Sequence, residues 1–205
     1  MNNPGCRLVA VLFAVAALPL SADDWMYRGQ IIAEPATGRF SVCFDHSCRT
    51  IVTRAVSSQE WQLITAPLQT PASVAADERA AIAHAIALME QTVGNKTGTS
   101  GDRGGNLAGF GTPGQMDCID ESNNTTTYLK LLQQAGLLKF HEVRERSTRF
   151  GLFAGMPHTT AVIRDIENRQ DYVVDSWFFD NGERPVIMPL EEWKSGWSPD
   201  DDRHE

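Results

Sequence analysis

Three side chains in this chain can form a nucleophilic relay: the thiol of Cys118, the imidazole of His158 and the carboxylate of Asp175. Cys118 falls where a loop enters a helical pattern. Free backbone N–H groups and the positive end of a helix dipole meet there, a setting that favours a thiolate. Asp117, Asp120 and Glu121 oppose this electrostatically, although Asp117 is also a natural N-cap. The thiolate therefore needs a cationic partner, and histidine is the usual one.

Five histidines compete for that role. His46 lies between two cysteines, His84 in an apolar helix and His204 in an acidic tail. His141 begins the charged segment Phe140 to Arg146 and reads as a surface residue. His158 follows Pro157 and opens the apolar run Thr159 to Ile163. A side chain is held in place there, as a base must be. Asp175 closes the strand-like run that begins at Asp171, an unusual place for an acid on propensity grounds. With a hairpin turn near Asn168, positions summing to roughly 334 pair, which sets Asp175 opposite residue 159 and beside His158. The alternative for Asp175 is a turn-forming or salt-bridged residue. Gln115 can offer its amide to a developing oxyanion together with the Cys118 backbone N–H, or serve only as a solvated loop residue.

Cysteine arithmetic isolates Cys118. The chain has four cysteines, at positions 6, 43, 48 and 118. Cys6 belongs to a leader. Cys43 and Cys48 bracket a tight turn and can close a hairpin disulfide in an oxidising compartment. A metal site from Cys43, His46 and Cys48 is the alternative, and it lacks a fourth ligand. No CxxC motif supports thiol-redox chemistry. The odd cysteine, Cys118, is then a reactive thiol, an intermolecular partner or a buried small hydrophobe.

The elements that must position these groups read as α+β. Residues 27–34 and 40–53 are strand-like, with Gly38 as punctuation between them. Ser57 to Leu68 is helical, with Ser57 or Ser58 as cap and Glu60 following. Val74 to Val93 carries helical periodicity and Gly94 stops it. Residues 94–114 hold eight glycines and form a long loop of the kind used as lids or substrate loops. A second helix spans Cys118 to Ala135 and ends at Gly136. Strands follow at Lys139 to Glu145, Thr159 to Ile166, Asp171 to Trp177 and Pro185 to Leu190, with a turn at Asn181-Gly182 and a helical turn at Glu191 to Lys194. Helices first, then antiparallel strands, define the class.

Composition sets the setting. A chain of 205 residues with 42% hydrophobic residues can bury a core of its own. A net charge of -8 without any Lys/Arg-rich run leaves no electrostatic footprint for nucleic acid. Arg7, the apolar run Leu8 to Leu18 and Leu20-Ser21-Ala22 have the layout of a secretory leader, too short for a span of about 20 residues. The expected layout is a leader at 1–22, a hairpin-and-helix extension at 23–70, a core at 71–197 and an acidic tail at 198–205. The expected destination is periplasmic or secreted, with no stable membrane insertion after cleavage.

Cys118 on a helix, His158 forty residues later and leading a strand, and Asp175 seventeen residues beyond it and ending the next strand resemble the order in transglutaminase-like and papain-like cysteine enzymes. The spacing is similar to that of the compact bacterial transglutaminase-like cysteine peptidases. Val174-Asp175-Ser176-Trp177 resembles the Asn-Ser-Trp segment of papain-like peptidases, with aspartate for asparagine. The Trp-rich phrase after the papain cysteine is missing, since Ile119-Asp120-Glu121-Ser122 stands there. The resemblance covers about residues 75 to 195. It implies a papain-like/transglutaminase-like core, with the nucleophile helix packed on an antiparallel sheet. It also implies acyl transfer through a thioester at Cys118 on a protein, peptide or cell-wall amide, with no cofactor and no metal required. Water as acceptor makes a peptidase or amidase; an amine makes a transglutaminase. A non-catalytic exported binding domain of the same fold stays open beside them.

Overall fold

The computed structural model describes residues 30–106, 109, 111–152 and 156–199. The expected leader lies outside the described residues, as do residues 200–205 of the expected tail. Residues 30–34 form no strand, correcting that part of the expected first strand; the chain makes only a single bridge, Ala36 with Arg39.

Strands β1 (Phe40–Phe44) and β2 (Thr50–Arg54) form the expected hairpin, in the register Cys43 to Ile51. Its turn is unusual. Asp45, His46, Ser47 and Cys48 all have φ between 50° and 68°. A non-glycine residue in this region costs about 1 kcal/mol, so four in succession need outside support. One support is the Cys43–Cys48 disulfide, with Cα atoms 4.6 Å apart. The other is a set of carboxylates on a later helix, described below.

Helix α1 (Ser58–Thr65) starts at a capping box: Ser57 accepts from the Glu60 N–H and Glu60 accepts from the Ser57 N–H. A 3₁₀ turn, Ala66–Leu68, follows. Helix α2 (Ala75–Thr97) runs past Gly94 and ends at Gly98, a left-handed C-cap with φ 81°. The expected stop at Gly94 is thus corrected. Gly94 has a packing role instead: a Cβ there would lie 2.6 Å from Asn181 Oδ1 and 3.1 Å from the Ser100 nitrogen. Helix α3 (Cys118–Gln134) begins at the expected cysteine and gives way to Gly136 with φ 70°.

Four antiparallel strands follow in sheet order β3-β4-β5-β6: β3 (His141–Leu152), β4 (Met156–Asp165), β5 (Asp171–Asp175) and β6 (Val186–Pro189). Helix α4 (Leu190–Lys194) closes the described chain. β3 is longer than expected because, past register shifts between Arg144 and Ser147 and between Arg149 and Leu152, its second half keeps pairing with β4. β4 begins before Pro157, so His158 lies inside the strand, opposite Arg149, instead of opening it.

The β4–β5 register decides the site. Ala161 pairs with Val174 and Val162 with Val173, one residue away from the expected pairing. The loop explains the shift: the Asp165 N–H donates to Gln170 O, closing residues 166–169, with Arg169 left-handed at φ 63°. Because side chains alternate across a strand, a one-residue slip moves a residue to the other face. The observed register puts His158 and Asp175 on one face, with Val162 and Val173. The expected register would have separated them.

The opposite sheet face carries the main core. Ala161, Ile163, Tyr172 and Val174 meet Ile82, Ile86 and Met89 of α2 and Tyr128, Leu129 and Leu132 of α3. Phe40 and Val42 of the hairpin join the same cluster, so one core spans both sides of residue 70. A smaller cluster, Val173, Met188, Leu190 and Trp193, lies on the His158 face under α4. The α+β class follows. Among the described residues no helix is long and apolar enough to cross a membrane.

Replacing Cys43 and Cys48 together by serine should lower the unfolding free energy by about 2 kcal/mol, the value for closing so short a loop. Urea denaturation measures it; an unchanged midpoint would show that the carboxylate contacts alone hold the left-handed turn.

Candidate active site

The first turn of α3 is built from two carboxylates. Asp117, the N-cap, accepts from the N–H groups of Ile119 and Asp120 through Oδ1, both at 3.0 Å. Its Oδ2 accepts from Ser47 N at 2.8 Å. Asp120 is wholly buried and accepts from His46 N at 2.8 Å, Cys48 N at 2.6 Å and Asp117 N at 3.2 Å. The left-handed turn therefore aims three successive amides at the helix start. Asn124, a turn further on, bonds both backbone groups of Cys43 at 2.8 Å. Cys118 is the first residue of this clamped helix.

The Cys118 thiol is half-buried and unbonded to any other cysteine. Its Sγ lies 4.0 Å from Pro157 O and receives the Thr159 N–H, so it sits on the backbone that flanks His158. Burial pushes the thiol up to about 12, and Asp117 and Asp175 push the same way. The N–H groups of Thr159 and Cys118 oppose them and lose. The expected thiolate-favouring effect of the helix start is outweighed by burial first, and then by the negative charges of Asp117 and Asp175. The resting sulfur keeps its proton unless a base takes it.

His158 and Asp175 are each 2% exposed, and Nε2 lies 2.7 Å from Asp175 Oδ2. Asp175 is an acceptor on both oxygens: Trp193 Nε1 donates to Oδ2 at 2.8 Å and Trp177 N to Oδ1 at 3.3 Å. An accepting carboxylate puts the imidazole proton on Nε2 and leaves Nδ1 as the basic nitrogen. The rings of Trp177, Phe178 and Trp193 surround the imidazole, with centroids at 4.8, 5.1 and 5.4 Å.

Gln115 is buried within the glycine-rich segment. Its Oε1 accepts from Asn106 Nδ2 at 2.6 Å and Arg103 N at 3.2 Å, and Nε2 donates to Gly101 O at 2.9 Å. One amide hydrogen is left for any oxyanion role. The described part of the segment is packed against the chain after Asp175. Gly105 N donates to Trp177 O at 2.7 Å, Gly104 N to Asp180 Oδ1 at 3.0 Å, and Arg103 pairs with Asp180. A Cβ on Gly104 would lie 2.5 Å from the backbone of Phe178 and Phe179. This close approach is what the glycine permits.

The other histidines divide. His141 is 1% exposed, with Nδ1 2.8 Å from Glu78 Oε1 and Nε2 3.2 Å from Arg79 NH1, which corrects its expected surface position. Glu78 also accepts from Lys139 N and Phe140 N, so this pair ties the start of α2 to the start of β3. His84 is half-buried in α2, His46 stays in the disulfide turn, and His204 lies outside the described residues. Cys43, Cys48 and Asp120 do converge, but the two sulfurs are bonded to each other and are not thiolate ligands.

Asp120 and Glu121 of the cysteine helix belong to a buried acidic group whose other members, Glu90 and Asp102, no sequence pattern points to. Burial pushes Glu90, Asp102 and Asp120 each up to about 7, and Glu121 upward as well. Their mutual repulsion adds to this: Asp102 acts on Glu90, Asp117 on Asp120, and Glu90, Asp102 and Asp120 on Glu121. Glu90 Oε1 and Glu121 Oε2 have no hydrogen-bond partner.

No protein-family model matches the chain, and no curated protein or solved structure matches it either.

The acidic group fixes a pH dependence. Its folded pKa values are raised, so its stabilising contribution is complete below the unfolded value near 4 and is lost as pH rises through about 7. Unfolding free energy should fall by on the order of 3 kcal/mol between pH 5 and 8. Glu121→Gln should flatten that slope in denaturant titrations. A wild-type stability that rises over this range would overturn the assignment.

Proposed function

We propose that the chain is an exported, cysteine-dependent acyl-transfer enzyme, a peptidase or amidase on a papain-like/transglutaminase-like core. Cys118 is the nucleophile, His158 the base and Asp175 the group that orients it. The observation that carries this reading is the buried 2.7 Å His158–Asp175 pair with the only described unbonded thiol seated on the backbone at residues 157 and 159. The exported setting draws on the Cys43–Cys48 disulfide, which persists in oxidising compartments.

Chemistry follows from the protonation states. Cys118 gives its proton to His158 Nδ1 as Sγ bonds to the amide carbonyl carbon. The Cys118 backbone N–H, with the remaining Gln115 amide hydrogen, faces the oxyanion. The C–N bond then breaks, His158 returns the proton to the leaving amine, and a thioester remains on Cys118. His158 next takes a proton from water as its oxygen attacks the thioester, and collapse releases the acid and restores the thiol. An amine in place of water would give transamidation. Asp175 keeps its charge throughout and compensates the transient imidazolium. A thiol pushed up to about 12 by burial makes this route dependent on the base.

The same burial favours a second reading, a non-catalytic exported binding domain with an inert Cys118. Iodoacetamide separates the two. At pH 7 the wild-type thiol should alkylate readily, and His158→Ala should slow this by about a hundredfold. Equal slow rates in both proteins would favour the inert thiol. Cys118→Ala should abolish release of amine from peptide-amide substrates; retained turnover would end the nucleophile assignment.

A further inference from the structure

We propose that Trp193 is a positioning residue of this site, so that helix α4 belongs to the machinery that activates Cys118. The inference rests on the Cys118–His158–Asp175 reading above. Trp193 is completely buried, and its indole N–H donates to Asp175 Oδ2 at 2.8 Å. The same oxygen meets His158 Nε2 at 2.7 Å. Two donors on Oδ2 and the Trp177 N–H on Oδ1 leave the carboxylate no free rotation. The plane in which Asp175 can receive the imidazole is thereby set. That plane in turn aims Nδ1, the nitrogen that must reach the thiol. Trp193 also lines the imidazole directly, with ring centroids 5.4 Å apart.

A five-residue helix has little stability of its own. Arg149 supplies the anchor. Its guanidinium donates to Trp193 O and, at 2.8 Å, to Trp197 O, and it lies 4.2 Å from the centroid of the Trp193 ring. Arg149 is also the cross-strand partner of His158. The contacts therefore close a ring: His158 to Arg149 across the sheet, Arg149 to Trp193, Trp193 to Asp175, and Asp175 back to His158. Filling the cluster with Val173, Met188 and Leu190 requires only an aromatic body. The N–H on Asp175 is what separates a positioning role from packing.

The test is a double-mutant cycle on the rate of Cys118 alkylation by iodoacetamide, followed from pH 5 to 9. Trp193→Phe keeps an aromatic ring and deletes the N–H. It should lower the rate at pH 7 about tenfold, while added to His158→Ala, where no base is left to aim, it should change the rate by less than about twofold. Asp175→Ala should also slow alkylation, and adding Trp193→Phe to it should slow it no further. If Trp193→Phe fails to fold by thermal melting, benzothienylalanine at position 193 preserves the bicyclic shape without the N–H and takes its place. A pH 7 rate within twofold of wild type, or an equal fall in both backgrounds, overturns the proposal while fast, His158-dependent wild-type alkylation leaves the triad standing. A wild-type rate no faster than that of His158→Ala overturns the triad and this proposal together.

Discussion

The hold of the disulfide turn on the start of α3 is the constraint from which the site is built. Asp117 and Asp120 face each other across one helical turn and satisfy each other's backbone N–H groups. Left alone, two carboxylates beside a thiol would repel each other and it. The amides of His46, Ser47 and Cys48 converge on them and make the arrangement tolerable. Those amides converge only because the turn is left-handed at four successive residues. The turn's strain and the helix's charge thus cancel locally. The position of Cys118 along the sheet follows from that cancellation.

Against this frame the sheet does the rest. α3 lays its apolar side on one face, through Leu129 and Leu132, while His158 and Asp175 stand on the other. The sulfur reaches the backbone of β4 near its start, at Pro157 and Thr159. In the proposed reading, a base on one face would serve a thiol carried by a helix on the opposite face only at this end of the strand, where Sγ meets Pro157 O and the Thr159 N–H. The aromatic rings of Trp177, Phe178 and Trp193 keep water from the imidazole, which strengthens its bond to Asp175.

Much of this was legible in the sequence where periodicity or punctuation was strong. The capping box at Ser57 and Glu60, the start of α3, the disulfide pair and the β4–β5 hairpin all carry short-range signals. The register did not, since a four-residue loop and a symmetric one differ only in where Arg169 turns left-handed. His141 was misplaced because its partner, Glu78, lies on a distant helix and leaves no trace in the local charge pattern. The composition of the glycine-rich segment fits a lid or substrate loop but does not show which glycine is needed for packing, as Gly104 is where two backbones touch. Trp193 gave no signal at all: one aromatic residue in a short terminal helix has no spacing to read. The helix-start argument for Cys118 omitted burial, and burial was the larger effect.

The Cys43–Cys48 bond gives the two sulfur chemistries of this chain opposite requirements. On the proposed reading Cys118 must stay reduced to act, while the bond that braces its helix start is an oxidised one. A chain newly made in a reducing compartment has the thiol but not the clamp. Without the bond, the amides of His46, Ser47 and Cys48 alone must hold the left-handed turn against the two aspartates. Oxidation of the nearer pair braces the helix start without consuming Cys118, whose sulfur is seated on the β4 backbone. On the proposed reading, which of Cys43, Cys48 and Cys118 meet oxidant, and not their presence alone, decides whether a competent molecule forms.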